Sequence, residues 1–281
     1  MSLALTRPLR HAAVAVCMAG AGTAAGCAPQ VSTQQEVAMG ADYSRQINQQ
    51  LPLVNDAATN QFVNQLGRQI AAGADQRGIR YNFYVVNSDV VNAFAIPGGH
   101  IYINRGLIER TDNLAELAGV LAHEIGHVAE RHGIEQMQKA SNANTALSVV
   151  YGVLLGRQPS GIEQAGIQLG GGAVFASYGR QAEREADAVA VGYLVRSGIN
   201  PSGLPSFFQK LLAMQQRNPS RVEQWFSTHP TTQERVASSQ AMIQQTPGAQ
   251  AGNLTTDTRA YQSFKARVAA LQPVPQDRRG R

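Results

Sequence analysis

The sequence predicts an α+β protein, mainly helical, with a small antiparallel sheet beside a metal-binding helix. Three observations predict it. His123-Glu124-Ile125-Gly126-His127 sets two histidines four residues apart, so on a helix both imidazoles leave one face, close enough to share a metal ion. Just upstream, Ala93-Phe94-Ala95-Ile96, Pro97-Gly98-Gly99 and His100-Ile101-Tyr102-Ile103 spell strand, turn and strand. Most of the remaining chain carries apolar residues at helical steps of three and four.

The first 26 residues read as an export signal. Arg7 and Arg10 form a positive start, Ala12 to Ala25 is small and uncharged, and the run is too short to span a bilayer. It ends Ala24-Ala25-Gly26-Cys27, which resembles a bacterial lipobox with Ala24 where leucine is usual. Cys27 is therefore expected to carry a lipid. Ala28 after it, by the same resemblance, directs the protein to the outer membrane on its periplasmic side. Cleavage without lipidation, giving a soluble periplasmic protein, is the alternative. Cys17 leaves with the signal, so no cysteine pair remains, and a chain of this length buries a core without one.

Losing Arg7 and Arg10 takes the formal charge from +5 to +3, and Asp277-Arg278-Arg279-Gly280-Arg281 carries +2 of that. The body is close to neutral, which excludes a nucleic-acid-binding face.

The expected organisation is a signal over 1–26, a polar tether over 27–36, one catalytic domain over 37–250, and a C-terminal helix with a disordered basic tail over 251–281. Helices are predicted from about Val37 to Leu51 and from Ala57 to about Ala72; in the second, Phe62, Leu66 and Ile70 mark the buried face. Ile79 to Val86 is aromatic and β-branched and reads as a strand. The hairpin over 93–103 follows and leads into the histidine helix. Asp112 or Asn113 can cap that helix, with Glu116 three residues after Asn113 as in a capping box. Residues 141–178 are rich in Ala, Gly, Ser and Gln and read as two weak helices around Gln158-Pro159-Ser160-Gly161. Further helices begin near Arg180 and cover about Leu204–Gln216 and Thr231–Gln245.

Two histidines and a glutamate make half of a zinc hydrolase site, with neutral imidazoles as ligands and Glu124 as general base toward a metal-bound water. A catalytic zinc needs a third protein ligand. The three-histidine arrangement fails, because Glu130 and Gly133 stand where glycine and histidine are required. His132 is one residue out of register and reads as a surface residue at the helix end. The carboxylate candidates are Glu130, Glu135, Glu163, Glu183 and Glu185. From Arg180 onward, Glu183, Ala186, Asp187, Ala190, Val191 and Leu194 form one stripe, and Glu185 lies off it. Two carboxylates on a core-facing stripe need a metal or a charged partner. Glu183 is thus the third ligand, and Asp187, one turn on, the acceptor for a ligand histidine's free N–H.

His123-Glu124-Ile125-Gly126-His127 followed by Glu183-Arg184-Glu185-Ala186-Asp187 resembles the zinc endopeptidases related to the CAAX prenyl protease, the bacterial membrane protease HtpX and the mitochondrial protease OMA. Asn92-Ala93-Phe94-Ala95-Ile96-Pro97-Gly98-Gly99 and Thr228-His229-Pro230, with Arg235 six residues after His229, resemble two more of that family's segments. The likeness runs from about 35 to 245 and is strongest to the short periplasmic lipoprotein members. No repeat follows residue 200, so a tetratricopeptide domain is not expected here. Gly179 departs from the family's usual serine, which affects the helix cap rather than the metal site.

The resemblance implies a zincin-like (gluzincin) domain with one zinc ion per chain that cleaves unfolded or misassembled proteins in envelope quality control. Asn92, Ala93, Phe94 and Ala95 are the candidate edge strand that holds substrate by backbone pairing. His229 either helps stabilise the oxyanion or closes on the zinc as a fourth ligand, which the resemblance implies for some relatives. Arg235 steadies the oxyanion or fixes the loop by a salt bridge. The rival reading is a latched, non-proteolytic, chaperone-like binding lipoprotein, with 141–178 as partner surface.

Overall fold

The computed structural model describes residues 31–141 and 177–272. The expected signal, Cys27, the two helices placed between 142 and 176, and the tail beyond 272 lie outside the described residues.

The chain begins with α1 (Thr33–Gln50) and α2 (Ala57–Ala72), then β1 (Asn82–Val86), β2 (Ala93–Ile96) and β3 (His100–Asn104). A short α3 (Arg105–Ile108) leads to α4 (Leu114–Ala129) and α5 (His132–Ser141). After the gap come α6 (Arg180–Arg196), α7 (Gly203–Arg217), α8 (Glu223–Thr228), α9 (Gln233–Gln245) and α10 (Arg259–Ala269). The fold is mainly helical with one small sheet, as the sequence predicts.

Helix α1 starts inside the stretch expected to be tether. Ser32 caps it: its hydroxyl accepts from Gln35 N–H and the Gln35 side chain accepts from Ser32 N–H at 2.8 Å, a full capping box. The polar composition of 30–36 hides that start. Glu36 is moreover fully buried, held by Arg77 at 3.0 Å and Arg131 at 2.9 Å.

The sheet has strand order β1-β3-β2. The hairpin of β2 and β3 is antiparallel, with Phe94 opposite Tyr102, but β1 runs parallel to β3, so the sheet is mixed rather than all antiparallel. Val86 pairs with Asn104 and Ala93 with Ile103, so residues 87–92 cross one end of the sheet and leave room for β3 between β1 and β2, a chain path that strand composition does not encode. Tyr84, Tyr102 and Phe94 stack across all three strands, with ring centroids 4.7 and 4.8 Å apart.

Every residue of α4 from Leu114 to Val128 is buried, as a helix apolar on all sides must be. Asn113 caps it by accepting from Glu116 N–H at 3.0 Å, while the Glu116 carboxylate accepts from Asp112 N–H at 2.7 Å. Inside the core, Gly126 replaces any larger side chain where α6 crosses. A Cβ there would sit 3.1 Å from the Ala186 carbonyl oxygen, so a residue without Cβ lets α6 come close enough for its carboxylates to meet the histidines.

Helix α10 packs through Tyr261, Phe264 and Val268 into the same core as α2 and α4. Phe62 of α2 stacks on Phe264 at 4.4 Å. The expected boundary near residue 250 is therefore not a break in packing.

Helix α1 crosses the hairpin turn at Gly40, where a Cβ would lie 1.9 Å from the Pro97 carbonyl oxygen. Gly40→Ala is expected to push α1 off the turn and destabilise the fold by roughly 1–3 kcal/mol, an overpacking penalty. Thermal melting checks it; for a domain of this size each kcal/mol lowers Tm by roughly 2–4 °C.

Candidate metal centre

Four buried side chains converge: His123 and His127 from α4, Glu183 from the first turn of α6, and His229 from the end of α8. One donor atom from each lies within 4.8 Å of all the others. His123 Nε2 and His127 Nε2 are 3.0 Å apart, and His127 Nε2 is 3.3 Å from Glu183 Oε1. His229 Nδ1 is 3.1 Å from Glu183 Oε1 and 3.4 Å from His123 Nε2. A tetrahedron with metal–ligand bonds of roughly 2.0–2.1 Å has edges of about 3.3 Å. The separations and the nitrogen and oxygen donors therefore fit a zinc-type site. The sequence stripe and the two-histidine helix are brought together, and His229 joins them as a fourth donor.

Glu124 sits beside the cluster, fully buried, and neither carboxylate oxygen takes a hydrogen bond. His229 Nε2 stands 3.4 Å from its Oε1. Burial raises the Glu124 pKa, against the opposing pull of the His229 and His123 charges. An unpartnered carboxylate in a protein interior is costly unless a ligand, a water or an ion meets it. This is the second sign that the cluster is built around something bound.

Burial also works against charge on Glu183, but the His229 charge and hydrogen bonds from His127 and His229 outweigh it and hold the carboxyl well below its usual range. Burial pushes His127 well below the ordinary imidazole value, consistent with a neutral ring that offers a lone pair. His229 is raised: burial opposes its charge, and the Glu183 and Glu124 carboxylates prevail.

Behind the donors, His123 Nδ1 lies 2.9 Å from Asp187 Oδ1. Arg235 donates from Nε and Nη2 to the two Asp187 oxygens, both at 2.8 Å, and from Nη1 to Glu183 Oε2 and, at 3.1 Å, to the Pro230 carbonyl. All of these guanidinium nitrogens are committed, so of the two roles open for Arg235 the geometry displays the salt bridge. The ring of Phe208 lies 4.6 Å from the guanidinium carbon.

Several neighbours escape a reading of sequence. Trp225 is wholly buried in α8; its ring lies 4.8 Å from that of His229, and its Nε1 donates to Thr231 Oγ1 at 3.0 Å. Thr231 in turn donates to the His229 carbonyl at 3.2 Å. The only signal is a tryptophan four residues before the histidine. Tyr178 stacks face to face on His127 with centroids 3.8 Å apart. His132 is not a surface residue: it is 3 % exposed and its Nδ1 lies 2.9 Å from His127 Nδ1. Gly179 caps α6 without a side-chain hydrogen bond, as its lack of a hydroxyl requires.

Among the described residues the candidate strand lies at the sheet's edge, with β2 next to β3 in the strand order. Ala93, Phe94 and Ala95 are buried, and Phe94 is core. Asn92 stands just before β2, 1 % exposed, with neither atom of its carboxamide hydrogen-bonded. Among the described residues, no helix is long and apolar enough to cross a membrane.

Comparison with known proteins agrees with this geometry. The chain is 37% identical over 222 residues to the beta-barrel assembly-enhancing protease of Yersinia pestis, covering 77% of this chain and 45% of that one. It is 34% identical over 173 residues to the metalloprotease YcaL of Escherichia coli K12, covering 59% and 63%. The mitochondrial metalloendopeptidase OMA1 of Arabidopsis thaliana is 28% identical over 165 residues, 59% of this chain and 32% of that one. The chain thus spans about half the length of the first of these relatives. A model of peptidase family M48 matches residues 11–243, most of the chain, and with the cluster of His123, His127 and Glu183 beside Glu124 it is plain that the chain belongs to peptidase family M48.

Proposed function

We propose that this chain is a zinc-dependent endopeptidase, held here in a latched form by His229. The observation that carries the reading is the four-donor cluster beside the buried Glu124 carboxylate, neither oxygen of which takes a hydrogen bond. His123, His127 and Glu183 would hold one zinc ion. Bound there, zinc supplies Lewis acidity, polarising a carbonyl and making a water acidic enough to ionise near pH 7.

The protein's own groups do the rest. Glu124 takes the proton of the attacking water and delivers it to the departing amine nitrogen, a role suited to a carboxylate raised by burial. Asp187 faces the outer nitrogen of His123, and Arg235 holds both Asp187 and Glu183 in place. An extended peptide lies along the β2 side of the sheet, where backbone recognition tolerates many sequences and suits an unfolded substrate. Asn92, with its carboxamide unpaired, offers one polar contact beside that strand.

With zinc bound, His229 would take the fourth position, which a hydrolytic zinc site must leave open. Cleavage therefore requires the loop after α8 to swing His229 out of that position. The export pattern and Cys27 support a periplasmic protein anchored to the outer membrane. The name of the Yersinia relative associates that protein with β-barrel assembly. We extend this to misassembled envelope proteins as the substrate class.

The closed four-donor arrangement also favours the rival, a latched binding lipoprotein, and one experiment separates the two. Zinc is quantified in the purified protein and its His229→Ala variant, and both are offered casein. One zinc per chain and several-fold faster cleavage by His229→Ala are expected. A zinc-loaded His229→Ala protein that cuts nothing establishes the binding reading instead.

A further inference from the structure

The two histidines of α4 each turn one nitrogen toward the cluster, and each must place the other N–H somewhere. For His123 the neighbour is the buried carboxylate Asp187. For His127 it is not a carboxylate but a second imidazole. With a metal held on His127 Nε2, beside Glu183 and His123, the neutral ring carries its hydrogen on Nδ1 and donates it to His132 Nδ1, 2.9 Å away. His132 must then carry its own hydrogen on Nε2, and that nitrogen donates to Glu185 Oε2 at 3.1 Å. Gln181, one turn before, donates to the other Glu185 oxygen at 2.9 Å. Both tautomers follow from the chain of contacts.

Two residues five apart do not meet on a continuous helix, where they point some 140° away from each other. They meet here because α4 stops and Arg131 takes the left-handed conformation, φ 61°, which folds His132 back under His127. It is the only non-glycine residue with positive φ among the described residues. Such a conformation is strained for a residue with a Cβ and persists only where the surroundings impose it. They do: Arg131 Nε donates to the buried Glu36 at 2.9 Å, and Arg77, bonded to the same Glu36 oxygen, donates to the Val128 carbonyl at 2.7 Å. A strained turn held by buried charges delivers one imidazole against another.

We propose that His132 and Glu185 form an outer relay that orients His127 and strengthens it as a metal ligand. The relay rests on the reading of the cluster as a zinc site. The two ligand histidines are then supported unequally: His123 by a carboxylate sealed in the core, His127 through His132 to a carboxylate whose side chain is 47% exposed. His132 and Glu185 are positioning residues and touch no reacting atom.

The test is zinc affinity, measured on the full chain by competition with a chromophoric chelator, together with the melting temperature of the metal-free protein. His132→Leu removes the acceptor and keeps an apolar filler; His132→Asn keeps an acceptor oxygen near the position of Nδ1. His132→Leu is expected to weaken zinc binding by ~10–100-fold, the usual consequence of losing an outer partner of a metal ligand. His132→Asn should recover most of that affinity, although both variants lose the same ring packing. Glu185→Gln, on the partly exposed side chain, should stay folded and weaken binding by a smaller factor. Equal loss in the leucine and asparagine variants, or wild-type affinity in all three, overturns the relay. So does an unchanged Glu185→Gln variant, since the carboxylate is the relay's outer end. Wild-type protein that takes up no zinc instead overturns the metal-centre reading itself.

Discussion

Glu124→Gln is expected to leave a folded protein that still binds zinc but cleaves casein about 10²–10⁴-fold more slowly, the usual worth of a positioned acid–base group. The amide has the shape of the carboxylate and cannot take a proton. Because neither Glu124 oxygen is hydrogen-bonded in the protein, the substitution breaks no internal contact of that kind. Lost activity then reports chemistry rather than collapse. Digestion by the two proteins side by side, with zinc content and melting temperature recorded for each, is the measurement. Equal cleavage by both removes Glu124 from the mechanism.

Arg235→Leu should have the largest effect on stability. Its guanidinium is 5 % exposed and is the cation that both Asp187 and Glu183 face. Removing one partner of a buried ion pair costs about 3–5 kcal/mol, because the remaining charge is stranded. At roughly 2–4 °C per kcal/mol, the metal-free protein should melt some 6–20 °C lower. The pH dependence identifies the cause. In the wild type, burial opposes charge on Asp187, but the hydrogen bond with His123 and the Arg235 charge hold its carboxyl below the ordinary 3.8. A depressed carboxylate adds stability that is fully present above the unfolded value and lost as pH falls through the folded one. Without Arg235 that contribution disappears and burial acts unopposed. The deficit should therefore be greatest near neutrality and shrink below about pH 4. A deficit independent of pH would point to lost packing against Phe208 instead.

How much could be foreseen depended on whether the signal was local. The stripe of Glu183, Ala186, Asp187, Ala190, Val191 and Leu194 is periodic, and all six are buried in α6. Helix α4 announced itself by its two histidines and its cap at Asn113. On a regular helix His132 points away from His127 and reads as surface, whereas the left-handed Arg131 breaks the helix and buries it. That conformation is imposed by Glu36, 95 residues earlier, and no local pattern carries such information. The parallel alignment of β1 is likewise a matter of chain path, not of strand composition. Helix α8 is six residues long, too short for periodicity to stand out, though its Trp225 packs against His229. The start of α1 was legible in retrospect as Ser32-Thr33-Gln34-Gln35, a capping signature that a polar stretch made easy to pass over.

The centre draws on residues far apart in the chain: His123 and His229 are separated by 106 positions, and the cation that neutralises its carboxylates comes later still. A polypeptide made from its N-terminus presents His123, Glu124 and His127 first, then Glu183 and Asp187 without their counter-ion, and Arg235 after all of them. Until α9 arrives, α6 has no means of burying two carboxylates against α4, and the four donors have no common position. Assembly of the centre thus follows the order of the residues along the chain, and the guanidinium that holds both carboxylates is the last of its parts to arrive.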